Sequence, residues 1–95
     1  MVYFGNAFSL QMLSEFPATL KINEIEKKEI ARNFVSIVGH PDTARILGVP
    51  YNRVSIKLYK GDVLYVAQLQ GGRLPEGSTE LPEGFSFKFI KVEIV

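Results

Sequence analysis

His40, Arg73 and Glu76 are the side chains of this sequence best placed to act together on a phosphate ester. A histidine near neutral pH can give a proton to a departing oxygen. An arginine can hold phosphate oxygens through two parallel hydrogen bonds, and a glutamate can orient an imidazole or accept a proton. His40 is the only histidine, and its surroundings read Val35-Ser36-Ile37-Val38-Gly39-His40-Pro41-Asp42-Thr43. The apolar run predicts a strand, Gly39 permits a tight turn, and Pro41 suits the first position of a helix. His40 is therefore expected at or near an N-cap, at the carboxyl end of a strand, where open α/β sheets hold ligands. Histidine caps poorly beside Ser, Thr, Asp or Asn, so its use here points to chemistry. The competing reading is a surface imidazole in a loop.

Arg73 and Glu76 lie in the long segment 70–84, which holds four of the eight glycines and two of the five prolines. Segments of this length without regular structure are often lids or binding loops. Arg73 can equally pair with Glu76 on the surface, where such pairs contribute little. Spacing alone leaves both readings open. Asn6 and Ser9 come after a predicted strand and open a predicted helix, where they either cap it or help its free N–H groups bind an anion. Asn52 and Arg53, taken by themselves, are turn residues before a strand. The sequence carries no Walker loop, no dinucleotide-binding glycine pattern and no nucleophile elbow.

The elements that must position these residues are short. Val2–Phe4 reads as a buried strand ended by Gly5. A helical stretch comes next with Leu10, Leu13 and Phe16 toward the core, stopping before Pro17. Thr19–Ile22 alternates like a half-buried strand, and Asn23 with Glu26 resembles a capping box opening a helix over 24–32. Phe34–Val38 is expected to be the central strand leading to His40, continued by a helix over 41–47 with Gly48 as its left-handed C-cap. Val54–Tyr59 alternates as a strand, Gly61-Asp62 turns the chain, and Val63–Leu69 is apolar on both faces and hence central. In the last run, Phe85, Phe87 and Phe89 have one parity and Ile90, Val92 and Ile94 the other. A bulge near Phe89-Ile90 would bring all six to one face. The expected fold is α/β: a single small domain over 1–95, with a mixed sheet of about five strands flanked by helices.

Composition narrows the function. A chain of 95 residues buries little over ~60% of its unfolded surface, so pairing with a second copy helps its core. The formal net charge is +1, with 11 basic and 10 acidic residues interspersed. That balance argues against gripping duplex DNA by counterion release, while allowing a small anionic ligand held by a few cations. Without cysteine there is neither a disulfide nor a thiolate metal site, and one histidine disfavours catalytic zinc. No apolar run approaches the ~20 residues of a membrane span, nor does a basic segment lead into an apolar signal core. The chain is expected to be soluble and cytoplasmic, without a cofactor.

Several blocks, in order, resemble a known family. They are Asn6-Ala7-Phe8-Ser9-Leu10-Gln11-Met12-Leu13 with Phe16-Pro17, then Gly39-His40 before Asp42-Thr43. Asn52-Arg53-Val54-Ser55-Ile56-Lys57 and Arg73-Leu74-Pro75-Glu76-Gly77 complete the set. Together they are similar to the viral ring nucleases, small anti-CRISPR proteins common in archaeal viruses that degrade cyclic tetra-adenylate and so silence type III CRISPR signalling. The resemblance implies a homodimer binding one ring across its two-fold axis beneath loops that close over it. It also implies metal-independent cleavage: a ribose 2′-hydroxyl attacks the adjacent phosphorus, leaving short linear products with 2′,3′-cyclic phosphate ends. On this resemblance His40 is the general acid, Arg73 stabilises the phosphoryl centre, and Glu76 assists or positions the histidine. Asn6, Ser9, Gln11 and Arg53 then contact the ligand. Gln11 stands where the family has Asn, and the segment after Gly77 is short, with Pro82 and Gly84 where relatives carry a helix. If viral, the protein would act in the host cytoplasm. The alternative is a non-catalytic dimer of the same fold that binds nucleotide or nucleic acid.

Overall fold

The computed structural model describes residues 1–15 and 18–95, with Leu10 by its backbone alone. Its frame is a five-stranded mixed sheet built from β1 (Val2–Gly5), β2 (Leu20–Ile25), β3 (Val35–Ser36), β4 (Val63–Gln70) and β5 (Ser86–Ile94). The strands lie in the order β2-β5-β4-β1-β3. β1 pairs in parallel with both β3 and β4, whereas β5 is antiparallel to both β4 and β2. The expected mixed α/β sheet is thus present, with β4 at its centre as its two apolar faces require. The single α-helix among the described residues is α1 (Pro41–Leu47).

Both faces of this sheet are covered, which explains the parity change along β5. Its register against β4 runs unbroken from Gln70↔Ser86 to Val63↔Glu93, and against β2 from Ile25↔Phe89 to Leu20↔Ile94. The expected bulge near Phe89-Ile90 is therefore absent. Ile90, Val92 and Ile94 instead share one face with Leu64 and Val66, beneath Leu13, Ile56 and Leu58. Phe87 and Phe89 share the other with Tyr65 and Ala67, beneath Ala44, Leu47 and Phe34. The cover changes face partway along the strand, and the sequence changes parity with it.

Four other expectations are corrected. The alternation begun at Leu20 continues to Ile25, so pairing with β5 displaces the expected helix over 24–32. Beyond Glu26 the chain makes one 3₁₀ turn, Lys27–Glu29, and the capping interaction moves three residues on: the Glu26 N–H donates to Glu29 Oε2 at 2.6 Å. Phe34–Val38 is not central. β3 pairs only with β1, and its outer edge is closed by Pro50–Asn52. There the Ser36 hydroxyl donates to the Pro50 carbonyl at 2.6 Å, Asn52 Nδ2 to the Ser36 carbonyl at 3.0 Å, and the Asn52 N–H to the Val38 carbonyl at 2.9 Å. Covering an edge in this way removes a template for aggregation.

Val54–Tyr59, the third, joins no strand of the sheet. Its alternation is real, but it serves a cover: Ile56 and Leu58 pack down onto the first core. Leu58 fixes the segment to the chain after β1, accepting at its carbonyl from the Ser14 N–H (3.0 Å) and donating its N–H to the Met12 carbonyl (2.7 Å). That chain forms only a 3₁₀ turn, Leu10–Met12, in place of a helix. The expected positions of Phe16 and Pro17 lie outside the described residues.

Leu58 is 1% exposed and pins the cover of one face. Leu58→Ala is expected to cost about 2–5 kcal/mol in urea-induced unfolding, as for other buried leucines. A cost near the ~0.5 kcal/mol of surface changes would show that this segment is not part of the cooperative core.

Candidate functional site

Three parallel strands bring three loops to one edge of the sheet. Because β1, β3 and β4 run in the same direction, their carboxyl ends emerge together. Asn6 comes directly after β1, His40 after β3, and Arg73 after β4. The start of the antiparallel β5, at Phe87, meets them there. Asn6 fastens the first two loops together. Its Oδ1 accepts the Gly39 N–H at 3.2 Å, and Nδ2, which can only donate, makes no hydrogen bond among the described residues. Asn6 therefore ties one strand end to another; it does not cap the turn beyond it. Ser9 forms that turn through its carbonyl, which accepts the Met12 N–H at 3.0 Å.

His40 is the N-cap of α1, in extended conformation with Pro41 behind it. Its Nδ1 accepts the Thr43 N–H at 3.3 Å and lies 3.4 Å from Thr43 Oγ1. With Nδ1 committed to the helix, Nε2 is the nitrogen presented outward. The imidazole is exposed, whereas Thr43 beneath it is buried. Gly48 closes the helix in the left-handed conformation expected of it. Gly39, just before His40, lies under the Arg53 side chain: a Cβ there would stand 3.3 Å from Arg53 Cγ.

Two adjoining cavities of about 490 Å³ each occupy this edge. One is lined by Asn6, His40, Thr43, Ala67, Leu69, Gly72, Arg73, Leu74 and Phe87. The other is lined by Asn6, Ser9, Gln11, Gly39, Arg53 and Lys57 among others. Asn6 belongs to both walls. His40 and Arg73, 33 positions apart in sequence, thus face one space, and Asn6, Ser9, Gln11 and Arg53 surround the next. Glu76 lines neither cavity. It is exposed at the tip of the loop, in a turn where the Ser78 N–H donates to the Pro75 carbonyl at 3.2 Å. Arg73 and Glu76 do not pair with each other; the ion pair of this region, among the described residues, is Arg45 with Asp42 at 3.1 Å.

The segment 71–85 is held in turns at both ends of its excursion. Gly71 and Gly84 meet at its neck, so closely that a Cβ on Gly71 would lie 2.8 Å from the Gly84 carbonyl oxygen. Both have positive φ, +112° and +84°, which glycine alone adopts at little cost. Three residues at this edge escape a reading by residue type. Asp42 and Thr43 stand in sequence only as neighbours of His40, although polar residues directly after an N-cap proline are a signal. Lys57 shares the parity of Arg53 and Ser55 in an alternating segment whose other parity is apolar, which marks the polar side as the open one. Among the described residues, no group of three or more His, Asp or Glu side chains is gathered as metal ligands, and no helix is long and apolar enough to cross a membrane.

No curated protein matches the chain. In fold it is similar to B116 of Sulfolobus turreted icosahedral virus, with a TM-score of 0.77 and 23% identity, covering 97% of each chain. Residues 2–89 match the STIV B116-like family model, and the chain belongs to that family.

Proposed function

We propose that the chain is a metal-independent phosphodiesterase that opens cyclic tetra-adenylate, the activity implied by its sequence resemblance to viral ring nucleases. One observation carries this reading: His40 and Arg73 line one cavity, Asn6, Ser9, Gln11 and Arg53 line its neighbour, and Asn6 joins the two. A ligand with several linked phosphates can lie across both, its scissile bond by His40 and its next nucleotide by Arg53 and Lys57.

The substrate brings its own nucleophile, so the protein needs only geometry, an acid and charge stabilisation. The 2′-oxygen bonds to phosphorus as the P–O5′ bond breaks. His40 Nε2 gives its proton to the departing O5′, and the 2′-hydroxyl proton passes to solvent. An imidazolium acting as that acid carries hydrogens on both nitrogens. Nδ1 must then exchange its bond with the Thr43 N–H for one to Thr43 Oγ1, which stands 3.4 Å away. Arg73 faces the phosphoryl oxygens as negative charge grows on them.

A second copy of the chain completes the proposal. Phe8, Ile22 and Ile90 leave apolar surface around a cavity of about 160 Å³ on the first face, and Ile22 is 56% exposed. A two-fold dimer would cover this surface and offer two equivalent histidines to a ring of repeating units. Sedimentation is expected to give a dimer that Ile22→Asp shifts toward monomer. A native chain that sediments as a monomer would remove the dimer from the proposal.

The central test is incubation with cyclic tetra-adenylate in EDTA. Linear products with 2′,3′-cyclic phosphate ends are expected from the native chain, and an intact ring would overturn the reading. His40→Ala should cut turnover by roughly 10²–10⁴, the usual worth of a positioned acid. The same change should also lose about 0.5 kcal/mol of stability, the low end of the cost of a lost N-cap, because it removes a weak one. His40→Asn restores a good cap and should be as inactive as His40→Ala while unfolding like the native chain. Arg53→Ala should weaken ring binding more than it slows the bound ring; an effect on stability alone would make Arg53 purely structural.

A further inference from the structure

We infer that Asp42 is a positioning residue, the latch that holds the Arg73–Glu76 loop in register with His40. Only its expected effect on turnover rests on the ring-cleavage reading. Asp42 is 6% exposed although charged, and both of its carboxylate oxygens are used. Oδ1 accepts from Arg45 Nη1 at 3.1 Å, and Oδ2 accepts the Gly77 N–H at 3.0 Å. Arg45 Nη1 also donates to the Ser78 carbonyl at 2.9 Å, so the pair grips two successive residues of the loop.

The sequence positions make this grip consequential. Asp42 is two residues from His40 on the same helix, and Gly77 comes directly after Glu76. One carboxylate therefore links the element that carries the imidazole to the turn that carries the glutamate. Gly71 meets Gly84 at the neck of the loop, and among the described residues the hydrogen bonds that tie its tip to α1 are those of Asp42 and Arg45. Both partners of Asp42 are donors, and a carboxylate alone offers two acceptor oxygens to them. A charge buried this far is retained only when so paired. Arg73 lies between neck and latch, and its reach into the cavity shared with His40 is set by both anchors.

The test compares native protein, Asp42→Ala and Arg45→Ala, using the single histidine as a reporter: one imidazole gives one Cε1–H resonance. In Asp42→Ala the Gly77 amide should exchange with solvent roughly 10-fold faster or more, the worth of a lost charge-assisted hydrogen bond. Amides of β4 should keep native protection while the His40 resonance moves. Turnover of cyclic tetra-adenylate should fall by roughly 10- to 100-fold, as for an Ångström-scale misplacement, with ring affinity changed less than rate. Arg45→Ala removes the Ser78 tie and the donor to Asp42 Oδ1 but keeps the Gly77 bond to Oδ2, and should give a smaller change in the same direction; its half-exposed side chain makes it the milder of the two variants. Unchanged Gly77 exchange and an unmoved histidine signal in Asp42→Ala would overturn the latch, as would loss of β4 protection in both variants. A native chain that leaves the ring intact would overturn the cleavage reading, while exchange and the histidine signal still decide the role of Asp42.

Discussion

Leu64 and Tyr65 are adjacent in β4 and buried on opposite faces of the sheet, and the need to bury both shapes the rest of the structure. A sheet with two apolar faces needs two covers, and 95 residues cannot supply a layer of helices for each. The covers are drawn instead from the connections. One face is closed by the 3₁₀ turn after β1 and the extended segment ending at Leu58. The other is closed by the seven-residue α1 and the stretch before β3. Connections used as covers must lie flat on the sheet, so their paths are set by packing and their bends fall at the strand ends.

Those bends carry the polar residues. Ser36, Asp42 and Thr43 are buried at or just beyond β3, and each is satisfied: Ser36 by the Pro50 carbonyl, Asp42 by Arg45 and Gly77, Thr43 by the cap at His40. No buried side-chain polar atom among the described residues lacks a partner. The parallel sense of β1, β3 and β4 then decides where this polar chemistry collects. Had β3 been antiparallel to β1, His40 and Asn6 would sit at opposite ends of the sheet. Asn6 holding the Gly39 N–H is the local expression of that topology, a side chain after one strand satisfying the backbone after another.

The sequence shows most clearly what is local. Gly39-His40-Pro41 with Gly48 marks both ends of α1, because an N-cap, an N1 proline and a left-handed glycine each act through nearest neighbours. β4 is legible because an apolar run of both parities has one common solution, a buried central strand. Asn23 misleads for a physical reason: a capping pattern and a strand alternation overlap there, and pairing with a nine-residue β5 outweighs an isolated cap. The parity change at Phe89-Ile90 is visible in sequence, but a bulge and a change of cover produce the same pattern. Only the placement of α1 against Phe87 and Phe89 separates them. For the same reason the alternation of Val54–Tyr59 reveals an open polar side without revealing that the segment packs on the sheet. At the site, residue types point to His40, Arg73 and Glu76 as a group. The cavity unites the first two, and Glu76 stays at the loop tip, because loop paths depend on tertiary bonds such as Asp42 to Gly77 that no spacing rule encodes.

His40 shows how so small a domain can combine structure and chemistry in one side chain. Its Nδ1 does the work of a capping oxygen for a helix too short to stabilise itself, and this leaves Nε2 as the ring nitrogen not used by the helix, on a side chain that lines the cavity. A serine or aspartate would cap better and present nothing there. The cost is a conflict within the ring, since a hydrogen on Nδ1 opposes the Thr43 N–H. Thr43 Oγ1, at 3.4 Å, is the acceptor that resolves it. On the proposed reading, the helix start is then a two-position device. The neutral ring is held by the backbone of Thr43 and the protonated ring by its hydroxyl, and the imidazole keeps its aim in both. That arrangement needs a hydroxyl three residues after the histidine and a proline to begin the helix, which is the order His40-Pro41-Asp42-Thr43 provides.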